Sequence, residues 1–166
     1  EFVNYLTINV SEFFRNTTQW DVLEKEIFPY LFTTFGKTVK IWSAACSTGD
    51  EPYSLAMVLS KFMPLSQIQI IATDIDKQIL AKAEQGLYNE KSVAGVPKEF
   101  KEKFCHFSGE KSNGQTTFSR PILKKNWALL STINPKNLRL ILPHFLLVTG
   151  MDLVLTTKDL NALKKY

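Results

Sequence analysis

Apolar residues along this 166-residue chain recur with two different periods, and the change of period divides it into elements. In NVSEFFRNTTQWDVLEKEIFPYLFTTFG, residues 9–36, the aromatic pair Phe13 and Phe14 is followed by Trp20, Leu23, Ile27 and Leu31 at spacings of three and four, which predicts helix. Ser11 is placed to cap its start, Asn16 to Thr18 offer a break and a second cap, and Gly36 closes it. TVKIWSAAC, 38–46, is apolar and β-rich and predicts the first strand. EPYSLAMVLSKFM, 51–63, sets Leu55, Val58, Leu59 and Phe62 on one helical face, with Pro52 in the first turn where its missing N–H costs nothing. IQIIATDID, 68–76, predicts a second strand ending in acids, and KQILAKAEQG, 77–86, a helix closed by Gly86. Strand, helix, strand, helix implies a parallel sheet with right-handed crossovers, the α/β class.

Further along, the rhythm changes. PKEFKEKFCHF, 97–107, predicts helix at its start, and Asn113-Gly114 between strand-like residues marks a hairpin. Residues 128–142 and 151–157 supply further strands, and KDLNALKKY, 158–166, a last short helix. LILPHFLLVTGM, 140–151, is strongly apolar, but it contains Pro143 and His144 and falls short of the roughly 20 residues a membrane-spanning helix needs. It reads as buried strand or helix, and no membrane insertion is expected.

Composition narrows the classes. Hydrophobic residues at 45% and charged residues at 22% fit one soluble globular domain. A net charge of +4, with Lys and Arg dispersed, does not demand a nucleic-acid partner. Trp42 and the phenylalanines sit at core spacing rather than interleaved with basic residues, so no nucleic acid is expected. Two distant cysteines, Cys46 and Cys105, suit a reduced cytoplasmic compartment. Cys105-His106 lacks the other ligands of a zinc site, so no metal is expected. The opening EFVNYLTINVSEFF carries acids where a secretory signal would be basic, and no such signal is expected.

The chemistry gathers in IWSAACSTGDEPYSLAMVL, 41–59, where a strand runs through a small-residue turn into a helix. In doubly wound sheets, ligands bind at this carboxyl edge. Ala44, Ala45, Ser47 and Gly49 would let a ligand approach the backbone closely. Asp50 and Glu51 would oppose a phosphate at the helix N-terminus and favour a positive group such as an ammonium or a sulfonium. The same acids equally suit a helix dipole with no ligand at all, and on the loop alone both readings stand. Asp74, at the end of the second strand, is placed to hydrogen-bond both hydroxyls of a ribose, while Asp76 is placed to cap the next helix. A full GxGxxG and a Walker lysine are both missing, which counts against a nucleotide-dependent enzyme of Rossmann type. An unphosphorylated ribose with a cationic head describes S-adenosyl-L-methionine better than NAD or ATP.

NYLTINVSEFFRN, KIWSAACSTGDEPYSLAM and IIATDIDKQILAKAEQGLY resemble consecutive signature segments of the CheR family of chemotaxis receptor methyltransferases, over roughly residues 3–90. The resemblance implies a class I S-adenosylmethionine-dependent methyltransferase sheet with a small inserted β-subdomain. It implies methylation of glutamate side chains on chemoreceptor cytoplasmic domains (methyl-accepting chemotaxis proteins), giving glutamyl methyl esters and S-adenosyl-L-homocysteine. Carried over residue by residue, Asn9, Ser11 and Arg15 match the family's N-x-T-x-x-x-R element, with Asn9 and Ser11 at the cofactor and Arg15 reaching the reaction centre. Glu51 matches a cofactor-contacting glutamate and Asp74 the ribose-binding aspartate, with Ala45 and Gly49 in the cofactor turn. Residues 1–36 then form the linker and helices leading into a methyltransferase domain at 37–166, with the β-subdomain at about 100–125. The family's helical N-terminal domain has no counterpart ahead of residue 1. MDLVLTTKDLNALKKY keeps a strand-like DLVL but lacks the family's Arg-Asn-Val and Tyr, so the C-terminal part reads as truncated or divergent. A CheR-like module that binds the cofactor or its product without methylating anything is the alternative.

Overall fold

A computed structural model describes residues 11–107, 115–118, 127–130, 145–149 and 152–155. In chain order the helices are α1 (Thr17–Val22), α2 (Phe28–Phe35), α3 (Asp50–Leu59), α4 (Lys77–Gln85) and α5 (Lys98–Phe104), with a π-helical turn at Leu23–Ile27 joining the first two. The strands are β1 (Lys40–Ala44), β2 (Gln69–Thr73), β3 (Leu87–Asn89), β4 (Cys105–Phe107), β5 (Gln115–Phe118), β6 (Trp127–Leu130), β7 (Phe145–Thr149) and β8 (Asp152–Leu155).

Five strands form one sheet in the order β6-β2-β1-β7-β8. The first four run parallel and β8 is antiparallel to β7. β1 is central, with Ser43 opposite Ala72 on one side and Val148 on the other. Its neighbours are reached in opposite directions along the sheet, so the crevice of a doubly wound fold opens at its carboxyl end. The apolar stretch at 140–151 therefore contributes a strand, β7, rather than a helix. A separate three-stranded antiparallel sheet, ordered β3-β5-β4, pairs Leu87 with Thr117 and Cys105 with Phe118. The expected turn at Asn113-Gly114 and the expected helix at 158–166 lie outside the described residues.

The helices follow their local chemistry. α4 starts at Asp76, whose carboxylate accepts from the amides of Gln78 and Ile79, and ends at Gly86 in the left-handed region. Pro52 sits in the first turn of α3, as its lost N–H permits. Every residue from Pro52 to Leu59 is buried, so α3 is enclosed all round instead of showing one apolar face. The apolar residues of the first segment, Phe13, Phe14, Trp20, Phe28 and Leu31, belong to the same core as Tyr53, Leu55 and Met57.

Helix does not begin at Ser11. Residues 11–16 form an irregular stretch, with Phe14 and Asn16 at φ 53° and 56°. Phe13 and Phe14 are consecutive yet both buried, and the Phe14 amide donates to Ser54 Oγ of α3 at 3.2 Å. Burial of both rings wins over helical geometry here. The carbonyl of Phe13 also meets Gly95, where an added Cβ would stand 2.5 Å from its oxygen. Gly95→Ala should therefore destabilise the chain by about 1–3 kcal/mol, read as a lowered urea midpoint at unchanged slope. An unchanged midpoint would show that this contact yields freely.

Candidate cofactor site

The turn between β1 and α3 is held open against its own backbone preferences. Ala45, Ser47 and Gly49 have φ of 57°, 49° and 94°. For the two non-glycine residues this costs about 1–2 kcal/mol each. Hydrogen bonds to the end of β2 offset that cost. Cys46 N donates to the Thr73 carbonyl at 2.9 Å and Ser47 N to Asp74 Oδ2 at 2.8 Å, and Gly49 N closes on the Cys46 carbonyl at 2.9 Å. Asp74 Oδ1 accepts from Asp76 N at 2.9 Å, so one half-buried carboxylate joins the turn to the start of α4.

Beneath the turn lies an aromatic floor. Phe13 meets Tyr88 edge-on at 4.9 Å between ring centroids, and Tyr53 meets Tyr88 edge-on at 5.9 Å. The Tyr53 hydroxyl donates to the Ala83 carbonyl at 2.9 Å and the Tyr88 hydroxyl to the Thr48 carbonyl at 2.6 Å. Gly49 is required on two counts. Its φ is positive, and a Cβ there would lie 3.0 Å from Ala83 Cβ and 3.1 Å from the Tyr88 hydroxyl.

Three carboxylates surround the turn, each with defined partners. Asp50 is 1% exposed and accepts from Ser11 Oγ at 2.8 Å and from Thr48 Oγ1. Glu51 is half-buried and accepts from Ser43 Oγ at 2.5 Å. Asp74 holds the amides already described. Burial, followed by the charges of Asp74 and Glu51, pushes the Cys46 thiol up to about 12.

The expected site residues fall as follows. Ala45 is exposed and Gly49 buried within the turn, Glu51 opens α3, and Asp74 braces the turn from β2. Ser11 does not cap a helix; its hydroxyl reaches Asp50 instead, which brings the first segment to the turn. Arg15 is exposed four residues further on, and its carbonyl accepts from Trp20 Nε1 at 2.8 Å. Asn9 lies outside the described residues. Ser43, Thr48, Tyr53 and Tyr88 are the parts the sequence reading missed. The S-x-x-x-x-T-G spacing into the helix is a usable signal for the first two, whereas Tyr88 sits 40 residues from its partner and carries none.

This arrangement fits an acceptor-rich, amide-poor ligand site. The amides of Cys46 and Ser47 are turned into the sheet edge, so they cannot cradle a phosphate as a nucleotide loop does. Glu51 and Asp74 set half-buried carboxylates beside the turn, acceptors matched to hydroxyl and ammonium donors. Among the described residues no cluster of His, Cys, Asp and Glu could hold a metal ion, and no helix is long and apolar enough to cross a membrane.

A mostly parallel α/β sheet with this turn and a following strand-end acid is the doubly wound arrangement, and the family match makes it the class I methyltransferase fold. The chain belongs to the family described as CheR methyltransferase, SAM binding domain, whose model matches residues 9–138, and S-adenosylmethionine is thereby its cofactor. It is similar to the chemotaxis protein methyltransferase of Listeria monocytogenes, 44% identical over 93 residues covering 56% of this chain and 36% of the relative. The corresponding protein of Borreliella burgdorferi is 34% identical over 64% of this chain and 40% of its own length. Chemotaxis protein methyltransferase 2 of Vibrio cholerae is 40% identical over 61% and 37%. The matches thus span two fifths or less of these relatives' lengths.

Tyr88→Phe should cost about 0.5–1.5 kcal/mol and speed exchange of the Gly49 amide, as measured by denaturation and hydrogen exchange. Unchanged exchange would mean the turn stands without this bond. Cys46, protonated through pH 9, should resist iodoacetamide in the folded chain and react only on unfolding. Rapid native-state alkylation would contradict the turn's packing.

Proposed function

We propose that this chain is the S-adenosylmethionine-binding catalytic domain of a cytoplasmic protein-glutamate O-methyltransferase. Its substrates are glutamate side chains on chemoreceptor cytoplasmic domains, and its products are glutamyl methyl esters and S-adenosylhomocysteine. The observation that carries this reading is a cofactor turn whose inner amides are spent on Thr73 and Asp74 while carboxylates surround it. The relatives' name, chemotaxis protein methyltransferase, supports the substrate class. On this reading residues 1–36 lead into a domain at 37–166, and the small sheet of β3, β4 and β5 is the inserted β-subdomain.

The residues present suit the cofactor. Each Asp74 oxygen accepts one backbone amide, and a carboxylate has about four acceptor positions, so it retains capacity for ribose hydroxyls. Glu51 supplies negative charge for the ammonium of the amino-acid moiety. Ser47 Oγ is buried without a hydrogen-bond partner, an orphaned group of the kind a ligand relieves. Exposed Ala45 leaves the turn open to a ligand, and Ser11 reaches it from the first segment through Asp50. When bound, the cofactor supplies a methyl group already activated on a sulfonium.

The chain's own task is positioning. A glutamate substrate is ionised at neutral pH, so no general base is needed. In this reading Arg15 orients the incoming carboxylate by charge-assisted hydrogen bonds, supported by the Phe14–Ser54 and Ser11–Asp50 bonds that tie its segment to the start of α3. Incubation with receptor cytoplasmic fragments and methyl-labelled S-adenosylmethionine should yield alkali-labile methyl groups. Arg15→Ala should lower that yield about a hundredfold or more while S-adenosylhomocysteine still binds. A fully active Arg15→Ala chain would remove Arg15 from this role. Product binding without any methyl ester formation would favour a signalling module that only holds the cofactor.

A further inference from the structure

Ser43 is a polar residue in an apolar place. It lies on the central strand β1 with no exposed surface, two positions from Ile41 at 2%. A hydroxyl buried there is unfavourable unless it is hydrogen-bonded. Its partner is not the strand but Glu51, eight residues on, at 2.5 Å, within the roughly 2.5–2.7 Å of hydroxyl–carboxylate bonds. The two residues bracket the turn, one at its entrance and the other at the start of α3.

The strand end of this bond is held firmly. Ser43 is in register with Ala72 and Val148, so ladders on both sides fix its backbone. Glu51 is the second residue of α3 and reaches back to β1 through a longer side chain, with a half-buried carboxylate. Asp74 takes its orientation from backbone amides and Asp50 from Ser11 and Thr48. For Glu51, the Ser43 hydroxyl ties the carboxylate plane directly to the sheet.

We propose that Ser43 is a positioning residue for the cofactor: its hydroxyl holds the Glu51 carboxylate where the cationic amino-acid head group must be met. This rests on the reading that Glu51 faces that head group. A hydroxyl that only relieves its own burial would leave ligand discrimination untouched, and the two roles separate by choice of ligand. S-adenosylhomocysteine carries the ammonium, whereas 5′-methylthioadenosine has the same adenosine and thioether without the amino-acid part.

The experiment is calorimetric titration of the wild-type chain, Ser43→Ala, Glu51→Gln and the double variant with both ligands. Ser43→Ala should bind S-adenosylhomocysteine about fivefold to tenfold more weakly and methylthioadenosine within about twofold of wild type. The double variant should be no weaker than Glu51→Gln alone, since the serine acts through the glutamate. If Glu51→Gln weakens S-adenosylhomocysteine and Ser43→Ala does not, the positioning role falls while Glu51 keeps its place. If Glu51→Gln leaves S-adenosylhomocysteine unaffected, the reading of Glu51 fails and takes the proposal with it. Equal loss of both ligands in Ser43→Ala, or failure of that variant to fold, assigns the hydroxyl to the framework and overturns the proposal.

Discussion

The carboxylate of Asp74 is the constraint on which the site depends. One oxygen receives the Ser47 amide and the other the Asp76 amide, so a single side chain ties the β1–α3 turn to the β2–α4 junction. Without it the turn would have to hold two non-glycine residues in the left-handed region with one fewer compensating bond. The carboxylate lies at the edge of a parallel sheet, beside the central strand, where the fold already leaves a crevice. In the proposed function the same group also serves the ribose.

The same bracing takes two donors out of the turn. The Cys46 and Ser47 amides are bonded to Thr73 and Asp74, and carboxylates stand at the helix start, which disfavours a phosphate there. The proposed ribose and cationic head suit the acceptors that remain. Tyr88 extends the arrangement outward. It belongs to β3 of the small antiparallel sheet, yet its hydroxyl is bonded to Thr48 in the turn and its ring packs on Phe13 of the first segment. The small sheet and the lead-in segment thus both bear on the cofactor turn.

The α/β order, the first two strands, the Asp76 cap and the Gly86 stop were all legible in residues 38–86, because each rests on local period or local capping. The placement of Gly49 in the turn, Glu51 at the helix start and Asp74 at the strand end was legible for the same reason: strand–turn–helix order is written within a few residues. Ser11 was misread as a helix cap because its true partner, Asp50, lies 39 residues away. Phe13 and Phe14 fit a helical period, but tertiary burial of both rings overrides it and forces Phe14 to positive φ. Ser43 looked like an ordinary strand residue, since nothing local says that a helix-start glutamate folds back onto it. Tyr88 was invisible because a hydroxyl's acceptor across two sheets leaves no mark on neighbouring residues.

The central claim is that the braced turn and its Asp74 carboxylate form a working S-adenosylmethionine site in this chain. The direct measurement is calorimetric titration with S-adenosylhomocysteine, run beside Asp74→Ala with thermal melting as a folding control. Saturable one-to-one binding that is lost in a variant still able to fold is the predicted result. A folded wild-type chain that does not bind, or an Asp74→Ala chain that binds equally well, would contradict it.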